Sequence, residues 1–110
     1  MKSRITMTAK TALRLYAENP HLTGTFSEQF GKGMIAMDQY EDEPDKAAFR
    51  FVFPKNQGNI QATVHGGALA SLIDISTTIA MARMTPLRTI SINLNTEFLR
   101  VIKVEEEIEL

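Results

Sequence analysis

Apolar residues recur along this chain at two spacings, 3.6 and 2, and the alternation between them divides it into helices and strands. Ile5, Ala9, Ala12, Leu13 and Tyr16 lie at helical spacing and predict a helix over 5–18, closed by Asn19-Pro20. After a loop holding Gly24 and Ser27, Met34, Ala36 and Tyr40 alternate weakly with polar residues and predict a short strand. The acidic run Glu41-Asp42-Glu43-Pro44-Asp45 reads as a solvated turn. Phe49, Phe51 and Phe53 then stand at every second position, the pattern of a strand with one strongly apolar face. Pro54 and the polar Lys55-Asn56-Gln57-Gly58-Asn59 end it.

Residues 66–84 carry apolar side chains almost all round a helix, from Ala68, Leu69 and Leu72 through Ile73, Ile75 and Ile79 to Met84. Such a helix is expected to be buried on every side, wrapped by a sheet, with Pro86 ending it. Ile90, Ile92, Leu94, Thr96 and Phe98 alternate with Ser91, Asn93, Asn95 and Glu97 and predict a strand. Ile102, Val104, Ile108 and Leu110 predict another. Because Leu110 is apolar and in phase with that pattern, further strands are expected beyond it. An edge strand covered by a partner subunit is the alternative.

Composition narrows the chemistry. At 110 residues the chain fits one domain over 1–110, with the N-terminal helix inside 1–20. A net charge of −1 leaves no electrostatic footprint for nucleic acid. There is no cysteine and there are only two histidines, so disulfides, thiol nucleophiles and a multi-histidine zinc site are excluded. No loop has calcium- or magnesium-ligand spacing, and Gly31-Lys32-Gly33 alone is a weak nucleotide signal, so no metal or cofactor is expected. The longest low-charge stretch, 56–82, is too polar for a membrane span. The first seventeen residues carry Lys2, Arg4, Lys10 and Arg14 and no acid. They read as a helix with a solvated basic face in a cytoplasmic protein, with a mitochondrial presequence as the alternative.

Between Lys55 and Arg83 the one formally charged residue is Asp74, set between Ile73 and Ile75. A carboxylate buried there without partners is costly or has its proton affinity raised. Gly67, Ser71, Asp74 and Thr78 fall on one face of the helix and form a narrow polar stripe. Two readings stand side by side. In one, Gly66 and Gly67 present backbone N–H groups at a helix N-terminus as an oxyanion hole, and Asp74 is a general base or nucleophile. In the other, the glycines permit close packing, and Asp74 pairs with Ser71, Thr78 or a polar group across an interface. His21, in a loop after Pro20, is expected to be exposed. Lys55, Arg83 and Arg88 are expected to be solubilising, with phosphate contact as the alternative.

The run Asn59-Ile-Gln-Ala-Thr-Val-His65-Gly66-Gly67, with Asp74 nine residues after the histidine, resembles the signature of hotdog-fold acyl-CoA thioesterases of the PaaI-like branch. Ile73-Asp74-Ile75-Ser76-Thr77-Thr78-Ile79-Ala80 is especially similar to the eukaryotic medium- and long-chain members. Ile90–Asn95 and Phe98-Leu99-Arg100 resemble the family's next strand, and Ala62 stands where the family commonly has glycine. The resemblance implies an α+β hotdog, an antiparallel β-sheet wrapped around a long central α-helix, dimeric or tetrameric, with its site at the dimer interface. It implies hydrolysis of acyl-CoA in fatty acid metabolism. By position, the Gly66 N–H and the Asn59 amide would polarise the thioester carbonyl and His65 would orient Asn59. Asp74 from the other subunit would activate water or attack directly, and Ser91 would hold the water or the acid. Gly67 and Thr78 are the candidate substrate contacts. The competing expectations are a non-catalytic acyl-CoA-binding hotdog and a truncated, inactive protein that associates through its open sheet.

Overall fold

The computed structural model describes residues 7–85 and 89–110. Ile5, Lys2 and Arg4 of the expected first helix, and Pro86 and Arg88, lie outside them. Helix α1 runs Ala9–Ala17, shorter than the spacing predicts, because Thr8 takes an extended backbone and its hydroxyl accepts the Thr11 N–H at 3.1 Å. Ala9, Ala12 and Leu13 are its buried face. A single helical turn α2, Glu28–Gly31, buries Phe30. Strand β1, Ile35–Ala36, follows. Met34 and Ala36 face inward and Ile35 outward, but the strand does not reach Tyr40. From Asp38 the chain turns instead, with Glu41 N–H on the Asp38 carbonyl and Glu43 N–H on the Tyr40 carbonyl.

Strand β2, Phe49–Val52, has the expected face: Phe49, Phe51 and Phe53 are all buried. The Phe51 ring meets Phe53 edge-on at 4.9 Å and lies against Phe30 at 5.8 Å. Strand β3, Glu107–Glu109, completes an antiparallel sheet in the order β1-β2-β3, with Ile35 opposite Arg50 and Phe51 opposite Ile108. Leu110 continues that ladder, exchanging both backbone hydrogen bonds with Phe49 at 2.7 and 2.9 Å. The single strand expected over 102–110 is broken at Glu105, whose φ of 66° is left-handed. Lys103, on the other side of the break, bridges to Thr63 instead.

The long helix α3 spans Gly66–Met81. Leu72, Ile75 and Ile79, at i, i+3 and i+7, join the β2 phenylalanines and α1 in one core. Burial on every side is not what forms. Ala70, Ile73 and Ala80 are half-buried, and Thr77 and Met81 are exposed. A sheet of three short strands covers one side of a sixteen-residue helix and no more. The strand expected over 90–98 is also absent: residues 89–101 are irregular, and Ile90 and Ile92 are 87% and 100% exposed. Their alternation is suited to a ladder, but no described strand lies alongside to supply its hydrogen bonds. Among the described residues, no helix is long and apolar enough to cross a membrane.

Arg83 overturns its expected role. It is 2% exposed, and its guanidinium donates to the carbonyls of Met7, Tyr40 and Glu43 at 2.9 Å, of Glu41 at 3.0 Å, and of Lys46. The acidic turn therefore folds around a buried cation through its backbone carbonyls. Its carboxylates point away into solvent, as Glu41, Asp42, Glu43 and Asp45 are exposed.

Candidate functional site

His65 begins α3. Its backbone is extended and its Nδ1 accepts the Gly67 N–H at 2.9 Å, closing one of the open N–H groups of the first turn. Its own N–H donates to the Gln57 carbonyl at 2.9 Å, fixing the entry to the helix. A Cβ on Gly67 would stand 3.1 Å from that same Nδ1, so glycine there makes room for the cap. The Gly66 N–H has no acceptor among the described residues. It is an open donor at the positive end of a helix dipole.

Asn59 shapes the loop before His65. Its Oδ1 accepts the N–H groups of Gln61 and Thr63 at 2.9 and 3.2 Å, and its Nδ2 donates to Thr63 Oγ1 at 2.9 Å. The expected pairing of His65 with Asn59 is therefore not made: His65 serves Gly67 and Asn59 serves its own loop. Ala62 turns that loop with a φ of 62°. Asn59 and Gly66 do line one cavity of about 410 Å³, together with Thr63, Leu69, Phe98 and Arg100.

Asp74 lies eight residues beyond Gly66, about 12 Å along the axis at 1.5 Å per residue. It is half-buried, not sealed in a dry interior. The hydroxyls of its stripe bond backbone: Ser71 Oγ donates to the Gly67 carbonyl at 2.8 Å, and Thr78 Oγ1 to the Asp74 carbonyl at 3.0 Å. The carboxylate is met instead by Ser91, whose Oγ donates to Asp74 Oδ1. Thr78 lines a separate, mostly apolar cavity of about 510 Å³ with Leu15, Tyr16, Ile79 and Ile90.

One chain thus carries two candidate half-sites, Gly66 with Asn59 along one cavity and Asp74 with Ser91, about two helical turns apart. A third cavity of about 450 Å³ lies between α2 and the first turn of α3, lined by Phe26, Phe30, Gln57, His65, Gly67 and Ser71. Gln57 had no signal in the sequence: it is one amide in a polar run, yet it is 8% exposed. His21 is exposed, as expected. Among the described residues no group of three or more histidine, aspartate or glutamate side chains is placed to hold a metal ion.

No curated protein matches the chain significantly in sequence. The structure is similar to the crystal structure of thioesterase superfamily member 2 from Mus musculus, with a TM-score of 0.69 and 21% identity. That likeness covers 99% of this chain and 71% of the mouse chain. At that identity it establishes the fold, an α+β hotdog with an antiparallel sheet packed on one long helix. Residues 61–110 match the sequence model of the thioesterase superfamily, a stretch that takes in His65, Gly66, Gly67, Asp74 and Ser91 and leaves Asn59 just outside.

Proposed function

We propose that the chain hydrolyses acyl-CoA thioesters to a carboxylic acid and CoA, at sites built from two copies of itself. The observation that carries this reading is the separation of the half-sites. A carbonyl held at Gly66 is about 12 Å from Asp74 of its own chain, far beyond the ~3 Å reach of a general base. The Asp74 that serves it comes from a second copy, in a dimer or a tetramer of such dimers. The thioesterase-superfamily match over 61–110 supports the reaction class.

In this mechanism the Gly66 N–H and the Asn59 amide receive the thioester oxygen as it becomes an oxyanion. His65, by capping Gly67, holds the first turn so that the Gly66 N–H stays open and aimed. Asp74 takes a proton from water as the water oxygen bonds the carbonyl carbon. The tetrahedral intermediate then collapses, the C–S bond breaks, and the proton passes to the departing thiolate. Ser91 fixes the carboxylate, and Gly67 and Thr78 contact substrate. The experiment is thiol release from a panel of acyl-CoAs by the wild type and Asp74→Asn. A loss of at least ~100-fold in the variant is expected; equal turnover would remove Asp74 from the chemistry.

One observation favours a second reading, an acyl-CoA-binding protein without turnover. Both polar atoms of the Asn59 amide are engaged within its loop. Saturable binding of acyl-CoA with no thiol release, and an affinity indifferent to Asp74→Asn, distinguish it.

A further inference from the structure

We propose that His65 is a proton-sensitive cap: its neutral ring holds the turn that presents the Gly66 N–H, and protonation releases that turn and lowers turnover. The effect on turnover rests on the thioester reading, whereas the titrating cap rests on the hydrogen bond alone.

His65 Nδ1 accepts the Gly67 N–H at 2.9 Å, from an exposed position at the start of α3. A ring nitrogen that accepts a hydrogen bond bears no proton, so this cap belongs to the neutral imidazole with its hydrogen on Nε2. In the protonated ring both nitrogens are donors. Nδ1–H then meets the Gly67 N–H, donor against donor, and the bond is lost. A second effect has the same sign, because an imidazolium at this position sets a positive charge at the positive end of the helix dipole. The cap of α1 has no such sensitivity, since it is the hydroxyl of Thr8. The first turn of α3 also depends on its cap more than most, because Gly66 and Gly67 have little helical preference of their own.

The surroundings offer the charged ring no counter-ion. Across the cavity between α2 and α3 it faces Gln29, Asn56 and Gln57 of the 3-10 turn Lys55–Gln57, and Ser71, all uncharged. Glu28 and Lys32, at the two ends of α2, pair with each other at 2.9 Å. Lys55 and Asp74 do not line that cavity. Of Glu97, Arg100 and Lys103, on the segment beside Gly66, none lines it either, and Arg100 lines the other cavity with Gly66. Among the described residues no carboxylate forms an ion pair with His65. The His65 N–H stays on the Gln57 carbonyl in either charge state, so the change is confined to the turn that carries the oxyanion donor.

The test compares the wild type with His65→Asn, which keeps a side-chain cap but does not titrate. Both are followed from about pH 8 to about pH 5, the interval in which histidine side chains change charge. The wild-type Tm is expected to fall by about 4 °C relative to the variant. Its kcat/KM for an acyl-CoA is expected to fall at least ~5-fold more than the variant's. Asp74 and His21 are common to both proteins, so their titration cancels. A Tm difference that does not change with pH overturns the cap. One that changes while the two kcat/KM profiles fall in parallel overturns the gate. If neither protein hydrolyses acyl-CoA, the gate falls with the thioester reading and the Tm comparison still decides the cap. Should the variant not fold, NMR on the wild type decides. The protection of the Gly67 amide from solvent exchange is expected to drop ~5-fold as the His65 ring takes up its proton. A Gly67 amide indifferent to that titration overturns the proposal.

Discussion

Ser91 Oγ donates a hydrogen bond to Asp74 Oδ1 across seventeen residues of sequence, and it does so from a segment with no regular structure. The bond holds one carboxylate oxygen and leaves the other open, the arrangement a base needs if it is to meet a water molecule in a fixed direction. It also ties the irregular 89–101 segment to the middle of α3.

Removing that hydroxyl tests the coupling. Ser91 is exposed, so Ser91→Ala is expected to leave the thermal midpoint nearly unchanged. A hydrogen bond to a charged group contributes about 1.5 kcal/mol, so thiol release is expected to fall ~10-fold. In the Asp74→Asn background the same substitution is expected to cost almost nothing more, since the two residues act as one unit. Additive losses in the double variant would mean that Ser91 acts on something other than Asp74.

Arg83 is a stability prediction. Five backbone carbonyls from two stretches of chain, Met7 and the turn 40–46, converge on one guanidinium, and no carboxylate among the described residues pairs with it. Arg83→Met fills most of the volume but leaves those acceptors buried without donors. A loss of about 3 kcal/mol is expected, with a fall in Tm of more than ~10 °C. Arg83→Lys is expected to recover little of this, because three donors on one nitrogen cannot span a fan of five carbonyls. Chemical denaturation of the three proteins decides it, and a Met variant as stable as the wild type would refute the clamp.

These two residues mark where the sequence is legible. Phe49, Phe51 and Phe53 announce β2 because alternation and burial are both properties of the strand itself. Ile90–Phe98 alternates equally well and forms no strand, since a ladder also requires a neighbour that local pattern does not describe. The spacing puts Asp74 on one face of α3 with Ser71 and Thr78, but their hydroxyls turn to the helix backbone, a choice that periodicity does not encode. Arg83 reads as a surface cation because its partners are backbone carbonyls, which carry no side-chain signature. Gly66 and Gly67 mark the start of α3 in the sequence, but His65 reads there as a partner for Asn59, and its role as the cap on the Gly67 N–H emerges only in the structure.

A smaller, pH-dependent contribution comes from Glu28. Lys32 Nζ donates to its Oε2 at 2.9 Å and the Gly24 N–H to its Oε1 at 3.1 Å, holding its carboxyl below the ordinary value of 4.5. The stability this adds is present above 4.5 and is lost as pH falls through the lower, folded-state value. Glu28→Gln is therefore expected to have a lower Tm than the wild type at neutral pH, with the gap closing as pH falls through the lowered, folded-state value. Because the group is exposed, the gap is expected to be small and to shrink further in high salt. A difference that stays constant with pH would assign it to packing instead of charge.

Ala62 offers the opposite sign. Its φ of 62° lies in the left-handed region, where the Cβ crowds the backbone at a cost of about 1–2 kcal/mol, and the side chain is exposed with nothing to lose. The turn keeps this shape because Asn59 organises it, with the Ala62 N–H on the Asn59 carbonyl at 3.1 Å and the Asn59 N–H on the Thr63 carbonyl at 2.8 Å. Ala62→Gly removes the crowding but loosens the unfolded chain, which offsets about 0.4–1 kcal/mol of the gain. A net stabilisation of about 0.5–1 kcal/mol is expected, read as a rise of a few degrees in Tm. The same loop aims Asn59 and leads into His65, so relaxing it bears on the site as well as on stability. If the strain holds Asn59 in place for substrate, Ala62→Gly raises KM while it raises Tm. A more stable protein with unchanged KM would mean that the hydrogen bonds of Asn59 are sufficient to hold the loop.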